Sequence, residues 1–125
     1  MENIMLFFKD SVYAKLIQDR IIKYIPSEKL SWVFYAESST ALREITEKST
    51  NSWGLLISDI DTIRNNIKPI EVFIKENPRI IVGIQYDTKL PVKVQLKDAI
   101  LFRRPSDINS WQLVIHQLLN MALIN

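Results

Sequence analysis

The chain has 125 residues, 47% hydrophobic and 24% charged, with a formal net charge of +2 and no cysteine. That is the balance of one globular domain with an ordinary core. Disulfides and thiol catalysis are excluded, and so small a charge, with bases interleaved among acids, does not mark a nucleic-acid-binding surface. Charges interrupt every apolar stretch well short of the roughly 18 residues that a membrane span needs. Met1-Glu2-Asn3 also lacks the basic opening of a signal peptide. The expectation is a cytoplasmic protein with neither nucleic-acid nor membrane partners.

Residues 3–8 predict a first strand. Val12, Leu16, Ile17, Arg20, Ile21 and Tyr24 follow at helical spacing, and Pro26 ends that helix. Ser31 to Ala36, rich in aromatic and β-branched residues, predicts a second strand. Ser39 or Thr40 is suited to cap the next helix by accepting a hydrogen bond from a free backbone N–H, with Leu42 and Ile45 facing inward.

Residues 53–58 are continuously apolar, as expected of a strand covered on both faces. Asn65-Asn66 breaks the chain before the helical apolar face of Ile67, Ile70, Phe73 and Ile74, which closes before Pro78. Ile80 to Ile84 and Ile100 to Phe102 predict the fourth and fifth strands, and Asp107 caps a last helix carrying Ile108, Trp111, Val114, Ile115, Leu118 and Leu119. Between the last two strands, Leu90, Val92, Val94 and Leu96 alternate with Lys93, Gln95 and Lys97, a strand-like period of two.

Alternating strands and helices imply right-handed crossovers, a parallel sheet and helices on both faces. In such a sheet ligands sit at the carboxyl ends of the strands, where the loops converge. Three apolar runs end there on polar groups: the first on Lys9-Asp10, the third on Asp59, the fifth on Arg103-Arg104-Pro105. Two aspartates and an arginine in one crevice suit a divalent cation and a phosphoryl group. A plainer role also exists, because aspartates at strand ends make turns and cap helices. Gly54 and Gly83, the only glycines, are too far apart for a phosphate-cradling loop. His116, in an apolar helical stretch, reads as a packed or partly exposed residue and not as a base.

Asp10, Asp59 and a basic residue before Pro105, with Tyr35 to Leu42 after the second strand and Pro105-Ser106-Asp107 before the last helix, resemble the bacterial response-regulator receiver domain over nearly the whole chain. The resemblance implies a flavodoxin-like α/β sandwich, one domain over residues 1–125, with a five-stranded parallel sheet of order 2-1-3-4-5. It places a helix, here short or distorted, within residues 88–98. It implies a role in two-component phosphorelay signalling, with Asp59 as phosphoacceptor, Arg104 on the phosphate, Mg²⁺ held by Asp10, Asp59 and the backbone carbonyl of Asp61, and a cis Arg104–Pro105 bond. A sensor kinase or an output domain is the implied partner. Such a chain is either a stand-alone receiver or the first piece of a longer regulator.

Several signature positions differ. Lys9 replaces an acid and could reach towards Asp59, which weakens a Mg²⁺ site. Arg104 replaces a lysine, none of Gly83, Ile84 and Gln85 carries a hydroxyl, Leu101 replaces an aromatic residue, and Ile60-Asp61-Thr62-Ile63 replaces Met-Pro. The expectation is an atypical receiver, not an enzyme, acting through protein contacts with weak or absent phosphorylation. The alternatives are a conventional phosphoreceiver and a small metal-dependent phosphohydrolase using Asp10, Asp59, Asp61 and Arg104. In the last helix Trp111, Leu113, Met121 and Leu123 surround the axis. Such a helix meets a partner, as in a homodimer, or is buried on several sides. Trp111 and Leu113, two positions apart, point in different directions, so one of them is left as an interface anchor. Lys89, Lys93 and Lys97 read as a solvated face.

Overall fold

A computed structural model describes residues 3–23, 33–49, 52–87, 89, 96 and 98–124. The strands are β1 (Asn3–Phe7), β2 (Val33–Ala36), β3 (Trp53–Asp59), β4 (Ile81–Tyr86) and β5 (Ile100–Arg103), all parallel in the order β2-β1-β3-β4-β5. The helices are α1 (Ser11–Ile22), α2 (Ser39–Lys48), α3 (Ile60–Arg64), α4 (Ile67–Glu76) and α5 (Trp111–Ile124). The expected architecture and strand order are present. The helix expected within 88–98, and Tyr24, Pro26, Ser31, Lys93 and Lys97, lie outside the described residues.

Alternation along the central strands builds two cores, since successive side chains of a strand face opposite layers. Ile4, Leu6, Phe8, Leu55 and Ile57 meet α1 and α5 through Ala14, Ile17, Ile21, Trp111, Ile115 and Leu118. Met5, Phe7, Leu56, Val82 and Ile84 meet the other layer through Leu42, Ile63, Ile70 and Phe73. The β1–β3 register slips where Asn3 pairs with Trp53 and Ile4 with Leu55, which leaves Gly54 unmatched. The extra residue puts Trp53 on the same face as Leu56, where its ring meets Phe34 and Phe73 edge-on at 5.3 and 5.8 Å.

Three local expectations change. The cap of α2 is Ser38, whose side chain accepts from the Ala41 N–H, so neither Ser39 nor Thr40 fills that role. On α1, Val12 and Leu16 face solvent while Ala14, Ile17 and Ile21 are buried. Trp111 is fully buried and Leu113 is 73% exposed. The tryptophan is therefore a core residue, and the outward group on α5 is Leu113. As expected, Asn65-Asn66 separates α3 from α4, and Asp107 accepts from the Ser110 N–H at 2.9 Å in the 3₁₀ turn leading into α5. That hydrogen bond holds the Asp107 carboxyl below the usual carboxylate range.

Gly83 sets how closely α5 approaches the sheet. A Cβ there would stand 3.0 Å from Leu118 Cδ1 and 3.4 Å from Phe102 Cε1. Gly83→Val should therefore destabilise the fold by about 1–3 kcal/mol through overpacking. Urea denaturation should show a lower midpoint at an unchanged slope.

Candidate functional site

The loops leaving β1 and β3 are tied to each other by Thr62. Its Oγ1 accepts the Lys9 backbone N–H at 3.2 Å, and its own N–H donates to Asp59 Oδ1 at 2.8 Å. Ser58 reinforces this from below, its buried hydroxyl donating to the Phe7 carbonyl at 2.5 Å. Asp59 is thus the N-cap of α3, and Asp10 is the N-cap of α1, accepting from the Tyr13 N–H at 3.1 Å. Sequence reading singled out both aspartates but not Thr62, the residue that joins their loops.

Lys9, Asp10, Asp59 and Asp61 line one crevice of about 620 Å³, completed by Glu37, Ser38, Ser39, Thr62, Asn65 and Asn66. Among the described residues its charged lining is four acids and one lysine, a formal net −3. Lys9 forms no ion pair with Asp10 or Asp59 among the described residues. No group of three His, Asp or Glu side chains placed to hold a metal ion is present among the described residues. One oxygen of Asp10 and one of Asp59 are engaged by helix N–H groups. The expected Mg²⁺ set is two carboxylates and the Asp61 backbone carbonyl; its residues line this one crevice, and the second oxygen of Asp10 and of Asp59 lies outside these cap hydrogen bonds.

Arg104 stands elsewhere. It lies in a separate depression with Asp87, Arg103, Pro105 and Ser106. Its guanidinium sits 4.5 Å from the centre of the Tyr13 ring and pairs with Asp87 at 3.8 Å. The Arg104–Pro105 bond is trans, contrary to the cis bond expected. Its direction follows from what it finds there, an aromatic face and a carboxylate, both attractive to a planar cation.

Tyr13 is the centre of this side of the edge. Its hydroxyl donates to Gln85 Oε1 at 2.8 Å and accepts from Trp111 Nε1 at 2.6 Å. Its ring packs edge-on against Phe8 at 5.5 Å and Trp111 at 6.0 Å, and Trp111 meets Phe102 at 5.4 Å. Gln85 is the register partner of Asp59 on the neighbouring strand, yet its side-chain oxygen is taken by Tyr13. Burial raises the Tyr13 pKa above its ordinary 10.0, against the opposing pull of the Trp111 hydrogen bond and the Arg104 charge.

Neither a protein-family model nor a curated protein matches the sequence. Solved structures do match. A response regulator receiver domain protein from Clostridium thermocellum superposes with a TM-score of 0.65 at 17% identity, covering 99% of this chain and 98% of that one. The chain has the receiver fold. A two-component transcriptional regulator AraC from Clostridium phytofermentans gives 0.65 at 18% identity, covering 99% and 97%. The same fold also matches part of a lysine decarboxylase from Francisella novicida, with a TM-score of 0.66 at 14% identity, over 97% of this chain and 17% of the enzyme.

Removing the Tyr13 hydroxyl strands the buried Trp111 N–H and the Gln85 oxygen, so Tyr13→Phe should cost about 1–3 kcal/mol. Because the folded state raises this pKa, its contribution is complete below the unfolded value near 10 and lost as pH rises through the folded value. Denaturant titrations across alkaline pH should show a fall in wild-type stability that is smaller in the phenylalanine variant.

Proposed function

We propose that this receiver-fold chain is a cytoplasmic signalling module of the two-component type that acts through protein contacts, with weak or absent phosphoryl transfer to Asp59. One observation carries the reading: the crevice around Asp59 has net negative charge, while Arg104 is engaged by Tyr13 and Asp87 outside it. A phosphoryl donor is itself anionic, and transfer depends on cations placed to neutralise the developing charge. Among the described residues, Lys9 is the one cation lining the crevice.

Exposed apolar side chains on the helices support this reading. Val12 and Leu16 of α1 are 70% and 45% exposed, and Leu113 and Met121 of α5 are 73% and 41% exposed. Leu113 and Met121 are eight positions apart and share one face of the helix. A homodimer through that face is part of the proposal, with Leu113 as its anchor. A sensor kinase or an output domain remains the other class of partner.

The match to part of a lysine decarboxylase favours a second reading, a receiver-fold domain within a larger enzyme assembly. Hydrolysis at the crevice itself has less support. His116 is exposed on α5 and is not among the residues that line it.

Two measurements follow. With acetyl phosphate and millimolar Mg²⁺, intact-mass analysis should show no acyl phosphate accumulating; a stoichiometric adduct on Asp59 would overturn the proposal. In sedimentation, Leu113→Glu should yield a folded monomer from a dimeric wild type, since truncating such anchors costs on the order of 2 kcal/mol. A wild type that stays monomeric at high concentration removes the dimer.

A further inference from the structure

We infer that Tyr13 is a positioning residue that sets the charge of the Asp59 crevice by holding Arg104 on its ring. The inference rests on the proposed reading and deepens it, because it names the residue that withholds a cation from the phosphoacceptor position.

The geometry assigns Tyr13 this part from three directions. It stands in the first turn of α1, three residues after the Asp10 cap, and the Asp10 carboxylate fixes that turn by accepting the Tyr13 N–H. Trp111, fully buried at the start of α5, donates to its hydroxyl and limits rotation of the ring. The exposed ring face then receives Arg104, whose backbone is anchored beside β4 by its N–H donating to the Tyr86 carbonyl at 2.7 Å. With that backbone fixed and Asp87 pairing the guanidinium, the side chain is directed to the α1–α5 side of the edge.

Gln85 meets the same side chain. It is 3% exposed and stands in register with Asp59, the nearest position on β4 from which an amide could serve a group bound there. Its oxygen accepts from Tyr13. One side chain therefore holds Arg104, a strand-end cation that could stabilise an anion at Asp59, and fixes the orientation of the Gln85 amide in register with it. Without the ring, Asp87 is the remaining attraction for Arg104. That pair is exposed and weak, so the guanidinium becomes free to sample the negative crevice.

The test uses the Lys9→Asp chain, which restores a second acid beside Asp10, and beryllofluoride with millimolar Mg²⁺ as the phosphoryl-like probe. Adding Tyr13→Leu should tighten beryllofluoride binding about tenfold, the scale of one charge-assisted hydrogen bond, and Arg104→Ala in that background should abolish the gain. A role for Tyr13 in stability alone would not give an Arg104-dependent gain. Unchanged affinity, or a gain that survives Arg104→Ala, overturns the inference. Should the leucine variant fail to fold, the wild type still decides. NMR should show the Arg104 side-chain protons shifted upfield by the Tyr13 ring current, and ordinary arginine shifts would overturn the inference. Phosphorylation of wild-type Asp59 would refute the proposed function while leaving these readouts intact.

Discussion

The Tyr13 hydroxyl, shared between the Trp111 indole and the Gln85 amide, is the interaction on which this side of the molecule depends. It joins α1, α5 and β4 at a point where the carboxyl edge of the sheet meets its helical cover. Each of the three groups carries a polar atom into a largely apolar layer. An unpartnered donor or acceptor there is costly, whereas the closed set stabilises. No described buried side-chain polar atom lacks a hydrogen-bond partner. The aromatic rings Phe8, Tyr13, Trp111 and Phe102 then pack edge to face around this polar centre.

The charge pattern at the strand edge follows from that arrangement. On one side, Thr62 pulls the β1 and β3 loops together and gathers Asp10, Asp59 and Asp61 around one crevice. On the other, Tyr13 and Asp87 hold the guanidinium of Arg104. The groups that phosphoryl chemistry would combine are divided between two depressions. Fold alone does not determine function, and the contact role proposed above draws on this division of charge more than on the strand order.

Much of the architecture was legible in sequence because β1 and β3 are covered on both faces and so read as unbroken apolar runs. Positions where two answers share one pattern were not. Val12 and Leu16 are as helically spaced as Ala14, Ile17 and Ile21, and spacing cannot tell which stripe meets the sheet. Trp111 and Leu113 posed the same ambiguity, resolved by Tyr13 and Phe102 around the tryptophan. At the site, Asp10, Asp59, Asp61 and Lys9 could be found from strand ends. The direction of Arg104 could not, because it is set by an aromatic ring far along the chain. The Tyr13–Trp111 hydrogen bond likewise spans 98 positions, beyond any local periodicity.

Hydrogen exchange of the Trp111 indole N–H tests the central interaction most directly. If Tyr13 closes the polar centre as described, this proton exchanges only when the core opens, and its protection should match that of the slowest backbone amides in β1 and β3. An indole proton lost at the rate of exposed groups, while those amides remain protected, would contradict the account.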